Sequence, residues 1–182
     1  MTKLLWLLPL SFLLTACPFE SNMPLEKAPV EPVDSSLLGF WYGIVKDGSD
    51  YFGIEALEIS RQSDSLYSVI RYGKAVKGDM ILPDTSFYTA YSSRVRDQSF
   101  MNLAALGPNG KPSKVWYLSA YSMSQDTLQV RTVTETFTTR KSFPRPEDFK
   151  KLVLDMSQNR NIYDELFTLS YRKIPKPASF EP

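Results

Sequence analysis

The 182-residue sequence predicts a mainly β fold: an up-and-down antiparallel β-barrel of about eight or nine strands, with one C-terminal helix before the last strand. Three observations carry that expectation. Runs rich in Val, Ile, Tyr, Phe and Thr follow one another from Phe40 to Phe137, and such residues suit a pleated, half-buried surface. Turn residues break the runs at short intervals, which suits antiparallel neighbours rather than long crossovers. A single stretch, opening at Pro146, carries a helical apolar period. Closing such a meander removes its exposed edges. A β-sandwich is the alternative arrangement of the same strands.

The elements follow in order. Phe40 to Lys46 is apolar and β-rich, and Asp47-Gly48-Ser49 turns the chain. Tyr51 to Ser60 is the second strand; its apolar parity changes between Ile54 and Leu57, which predicts a bulge. After a turn over 61–65, Leu66 to Tyr72 is the third. Gly73 and Lys77-Gly78-Asp79 flank a short strand that resumes through Met80, Ile81 and Leu82, and Pro83-Asp84 turns again. Phe87 to Val95 and Phe100 to Leu106 are strands, joined to the next by Gly107-Pro108-Asn109-Gly110. Asn-Gly tolerates the positive φ of a tight hairpin. Val115 to Tyr121 and Leu128 to Phe137 continue the run. In the helix, Pro146 takes the first position, Glu147 and Asp148 fill the first turn, and Phe149, Leu152, Val153 and Met156 form one apolar stripe. The last strand is Leu166 to Ile174, with Phe167, Leu169 and Tyr171 on one face.

The two ends of the chain read differently. Pro18, Pro24, Pro29 and Pro32 punctuate a stretch without helical or strand period, so residues 17–36 are expected to be a Pro-rich linker. Extended polyproline geometry, at ~3.1 Å per residue, would let it hold a domain up to ~50 Å from its attachment point. Residues 175–182, with Pro175, Pro177 and Pro182, read as a tail outside the fold. At the start, Lys3 precedes an apolar run from Leu4 to Leu14 that Pro9 interrupts. That run is too short to span a bilayer, which takes about 20 residues, and has the layout of a secretory signal peptide. Leu14-Thr15-Ala16-Cys17 resembles the lipobox of bacterial lipoproteins. The resemblance implies cleavage after Ala16, with Leu14, Thr15 and Ala16 recognised by the signal peptidase, and acylation of Cys17. Cys17 is the one cysteine in the chain, so it has no disulfide partner within it. Two or more acyl chains give stable anchoring where one does not. Residues 1–16 are therefore read as signal peptide, and the protein as exported and lipid-anchored in the bacterial cell envelope.

Composition limits the functions. Of 21 Lys and Arg residues the signal removes only Lys3, leaving basic residues balanced against 20 acidic ones. A near-neutral chain does not carry the clustered positive charge of a nucleic-acid footprint. There are no histidines, which removes Ser-His-Asp and Cys-His catalysis and every His-containing metal site. With Cys17 acylated, thiolate chemistry goes too. Glu55 and Glu58, three apart, fall on opposite faces of a regular strand and read as a solvated strand face rather than an acid/base pair. Gly107-Pro108-Asn109-Gly110 lacks the Lys-Ser/Thr of a phosphate loop. The expectation is a non-enzyme without cofactor or metal, with carboxylate, lysine or tyrosine chemistry as the route left open to an enzyme.

Leu38-Gly39-Phe40-Trp41-Tyr42 puts a Gly-x-Trp at the start of the first strand, which resembles the lipocalin signature. The resemblance covers residues 37–174. It implies a lipocalin-like barrel in which Gly39 lets the chain bend, Trp41 plugs one end, and an arginine from a late strand lies over the indole face. Arg172 is the candidate for that role, with Arg131 and Arg140 as rivals. A barrel of about eight strands can hold one small ligand. Large amphipathic residues alternate with small ones in Tyr88-Thr89-Ala90-Tyr91 and Trp116-Tyr117-Leu118-Ser119-Ala120-Tyr121. Tyr88, Tyr91, Trp116, Tyr117 and Tyr121 are thus the candidate lining of a pocket for a small apolar or amphipathic ligand. The alternative is a solid barrel whose outer face engages an envelope protein as an assembly factor or inhibitor.

Overall fold

The computed structural model describes residues 20–47, 51–77, 80–134, 143–159 and 162–180. Nine strands and one helix are present among them: β1 (Glu20–Ser21), β2 (Gly39–Asp47), β3 (Tyr51–Arg61), β4 (Tyr67–Lys77), β5 (Met80–Val95), β6 (Gln98–Leu106), β7 (Pro112–Ser124), β8 (Thr127–Val133), α1 (Pro146–Asn159) and β9 (Tyr163–Ile174). From β2 to β9 each strand pairs antiparallel with the next, and β9 returns to β2. The result is a closed eight-stranded up-and-down barrel, with β1 as an added outside strand. A sandwich is ruled out because one continuous sheet closes on itself. β7 pairs with β8 only from Ser119 onward, and β1 occupies the edge this leaves at Trp116 and Tyr117.

Period-two alternation divides the hydrophobic residues into two clusters. Inside the barrel lie Leu37, Trp41, Ile59, Tyr67, Val69, Ala90, Met101, Leu128 and Tyr171. On the outer wall, Val95, Phe100, Leu118, Ala120 and Val133 pack against Phe149 and Val153 of α1, with Leu25, Phe143 and Ile162. The helical stripe read from the sequence is real, and it covers the outside of the barrel.

Four local expectations are corrected. No bulge interrupts β3: its register is continuous with β2 from Asp47↔Tyr51 to Gly39↔Ile59. The parity change arises because Ile54 faces outward while a carboxylate, Glu55, takes the inward position beside it. Pro83-Asp84 does not turn the chain. Pro83 pairs with Lys74 of β4 inside one long strand, and β6 does not join β5 until Tyr88. Proline is tolerated there because no second neighbour needs its missing N–H.

The stretch expected to be a free linker is part of the fold from Glu20 onward. Leu25 is 1% exposed, and its N–H donates to Asn102 Oδ1 at 2.8 Å. Asn102 is itself buried in the outer wall and donates to Ser93 Oγ at 2.8 Å, so its amide is satisfied on both sides. Further on, the Val33 N–H donates to the Asp64 carbonyl, and Asp34 caps a single 3-10 turn at Ser35–Leu37. The C-terminal tail is held as well. The Phe180 ring lies 5.1 Å from Phe40 and 5.3 Å from Tyr72, and Lys176 pairs with Glu58 at 2.9 Å. Cys17 and residues 1–16 lie outside the described residues.

Candidate functional site

One end of the barrel is closed by the chain that leads into β2. Trp41 is fully buried there, and its indole N–H donates to the Leu37 carbonyl at 2.8 Å. The cation over the indole is Lys173, 5.2 Å from the ring centroid, rather than Arg172. Register explains the correction. Trp41 pairs with Lys173, so their side chains share the inner face, whereas Arg172 pairs with Tyr42 and points to the other. Gly39, at φ 135°, lets the lysine through: a Cβ there would stand 2.7 Å from Lys173 Cε. Of the rivals, Arg131 lies over Tyr163 at 4.6 Å, and Arg140 falls outside the described residues.

Above Trp41 the barrel is hollow. A cavity of about 380 Å³ is lined mainly by apolar side chains, among them Leu57, Val69, Met101, Leu103, Val130 and Leu169. Three of the five aromatic candidates line it. Tyr88 and Tyr117 meet edge to face at 6.4 Å, and Tyr121 stands nearer the closed end with its hydroxyl 3.1 Å from Ser92 Oγ. Tyr91 and Trp116 occupy odd positions relative to these and sit on the outer wall. They contact each other at 5.7 Å, and the Tyr91 hydroxyl donates to the Glu26 carbonyl. The Tyr117 hydroxyl donates to Glu20 Oε1 at 3.1 Å, which ties the cavity lining to β1. Burial, followed by that carboxylate, raises the Tyr117 pKa; burial is also the leading cause of the raised Tyr121 value.

The cavity has one strongly polar wall. Glu55 is 6% exposed and accepts on both oxygens: Oε1 from the Tyr171 hydroxyl, Oε2 from Arg71 Nε and Nη2, each at 2.8 Å. Backbone register brings the three together. Glu55 and Tyr171 both pair with Gly43 on β2, so the inner face has no side chain between them. The Tyr171 ring fills that gap: a Cβ on Gly43 would lie 2.9 Å from its Cδ1 and 3.0 Å from the Ser170 carbonyl. Burial, then the adjacent Glu55 carboxylate, hold the Tyr171 phenol well above its ordinary pKa, so it stays a proton donor.

Sequence reasoning placed Glu55 on a solvated face and singled out neither Arg71 nor Gly43. The available signal was the parity itself: in an unbulged strand, Glu55 shares a face with Leu57 and Ile59. Glu58 is on the opposite face, as its spacing requires, paired with Tyr72 and Lys176. No group of three or more His, Cys, Asp or Glu residues that could hold a metal ion occurs among the described residues.

The fold and the site thus define a closed antiparallel eight-stranded barrel with a largely apolar internal cavity walled in part by the partly buried Glu55–Arg71 ion pair, compatible with a lipocalin-like architecture. Compared with known proteins, the chain matches no family model, no curated protein and no solved structure.

Proposed function

We propose that this protein is a lipid-anchored bacterial envelope lipoprotein whose lipocalin-like barrel binds a small apolar or amphipathic ligand. The cavity carries the binding half of the reading. About 380 Å³ of mostly apolar interior falls in the size range of small-molecule sites, and Glu55, Arg71 and Tyr171 give it one charged, hydrogen-bonded group. The Leu14-Thr15-Ala16-Cys17 motif supports the anchoring half. If Cys17 carries the lipid, the packing of the chain from Glu20 onward supports an anchor close to the barrel. Only Pro18 and Phe19 separate Cys17 from Glu20, a reach of roughly 10 Å, and Glu20 touches cavity-lining Tyr117. The proposed lipid therefore attaches beside the barrel instead of at the far end of a long tether.

Native mass spectrometry of the gently purified chain tests the binding half. A reproducible added mass that denaturation releases is the expected result; a bare polypeptide that also ignores added long-chain amphiphiles overturns it and favours a protein-interaction module. Intact mass of membrane-extracted protein tests the anchor. Loss of residues 1–16 with acyl mass on the remainder is expected, and Cys17→Ser abolishes both. An unmodified full-length mass sinks this half.

A further inference from the structure

We propose that the cavity selects uncharged amphiphiles, and that Glu55 is the residue that turns carboxylate ligands away. The inference rests on the ligand-binding reading above and names the chemical class of its ligand.

Burying a carboxylate is costly unless a cation meets it. Among the described residues that line the cavity, Arg71 is the one basic side chain, and two of its nitrogens already bond Glu55. The polar wall is therefore neutral as a unit. A fatty-acid carboxylate placed against it meets a cation already compensated and an anion of its own sign a few ångströms away. It would lose its hydration without gaining net charge pairing. Displacing Glu55 offers no escape, because Glu55 is enclosed and would be left buried without Arg71. An alcohol, ester or amide headgroup faces none of this. It can donate to a lone pair of Glu55 or exchange hydrogen bonds with the hydroxyls of Ser119 and Thr132, which lie 3.0 Å apart on the cavity lining. A permanently cationic head fares no better than an anionic one, since Glu55 is already matched by Arg71. Apart from Tyr88, Tyr117 and Tyr121, the last two with hydroxyls bonded to Glu20 and Ser92, the rest of the wall is apolar and accepts the alkyl chain whatever its head.

Competition on the full chain, read by native mass spectrometry at neutral pH, decides the matter. The probes share one alkyl chain and differ in head charge: dodecanoate, 1-dodecanol and dodecyltrimethylammonium. The wild type is expected to take 1-dodecanol over either ion by about tenfold or more. Glu55→Gln keeps the shape and an acceptor for Tyr171 but removes the negative charge that faces Arg71, so the wall gains one positive charge. Dodecanoate should then gain about tenfold on 1-dodecanol. Tyr171→Phe, which leaves the ion pair intact, should keep the wild-type ranking. The wild-type ranking stands as a test by itself if Glu55→Gln fails to fold. Equal binding of the three probes by the wild type, or a preference for dodecanoate, overturns the selectivity while leaving the binding reading intact. Failure of all three to bind overturns both.

Discussion

The barrel has two hydrophobic clusters of opposite character, the outer built on phenylalanines and aliphatics and the inner on Trp41, Tyr67 and Tyr171 among aliphatics. The outer one, beneath α1, is closed over: Phe100, Leu118, Ala120, Val133, Phe149 and Val153 are each 2% exposed or less. The inner one is tight only around Trp41 and then opens into a cavity whose wall includes partly buried Leu57, Leu103, Val130 and Leu169. Interiors are close-packed as a rule, so leaving space inside gives up contacts that a solid core would make. The outer cluster, strapped down by the chain around Leu25, offsets that loss. The division separates a part of the molecule that holds the fold from a part that is free to accept a guest.

Two truncations of identical chemistry test that division most strongly. Leu118→Ala in the outer cluster opens a void in packed surroundings and should destabilise by about 3–5 kcal/mol. Leu103→Ala enlarges a space that already exists, losing only part of its transfer free energy, about 1–2 kcal/mol. Chemical denaturation measures both, and ligand capacity should change only for Leu103→Ala. Equal costs would mean the interior is as solid as the outer face.

Next in size is the polar wall. Glu55→Ala removes the carboxylate that Arg71 and Tyr171 both bond and should cost about 2–3 kcal/mol, below the figure for a fully buried pair because the Arg71 side chain is 37% exposed. A cost near zero in denaturant melts would show that the pair is not formed. Gly43→Ala should cost about 1–3 kcal/mol through overpacking against Tyr171 and the Ser170 carbonyl. Its second signature is a lowered Tyr171 pKa in spectrophotometric titration, since the ring can no longer reach its enclosed place beside Glu55.

The smallest effect concerns the C-terminal strap. Burial alone would raise the Glu58 pKa, but the Lys176 and Tyr72 hydrogen bonds outweigh it and hold the carboxyl below its ordinary value. The stability this supplies is present above the ordinary glutamate pKa and is lost as pH falls through the lowered one. Amide protection over residues 176–180, taken relative to the intrinsic exchange rate at each pH, should fall as pH drops through the lowered Glu58 pKa, while protection beneath α1 persists. Parallel loosening of both regions would show that the tail is not a separate element.

Strand order, the helix and the class of fold were legible because each rests on local pattern: period two, period 3.6 and turn chemistry. The helical stripe at Phe149, Leu152, Val153 and Met156 could be read without knowing what it would meet. Pro83 misled because proline reads locally as a break, while its tolerance depends on how far a distant strand extends. Residues 20–36 misled because composition says polyproline, yet Asn102, far along the chain, supplies the partner that docks Leu25. Among the tyrosines, residue type gave no sign of which face each would occupy. Register separates Tyr88, Tyr117 and Tyr121 inside from Tyr91 and Trp116 outside, and a shift of one residue would have exchanged the two sets.

The sequence by itself determined a mainly β meander with one amphipathic helix, a Gly-x-Trp start whose glycine does adopt a positive φ, and a chain without histidine. These follow from neighbouring residues alone. Tertiary structure decided that the meander closes, that its interior keeps a cavity, and that Lys173 rather than Arg172 lies over Trp41. It also decided that Glu55, Arg71 and Tyr171 converge across an empty position at Gly43. Those outcomes depend on which residues face each other across strands, from 16 positions apart for Glu55 and Arg71 to 132 for Trp41 and Lys173, and register between distant strands is set by the packing of the whole barrel.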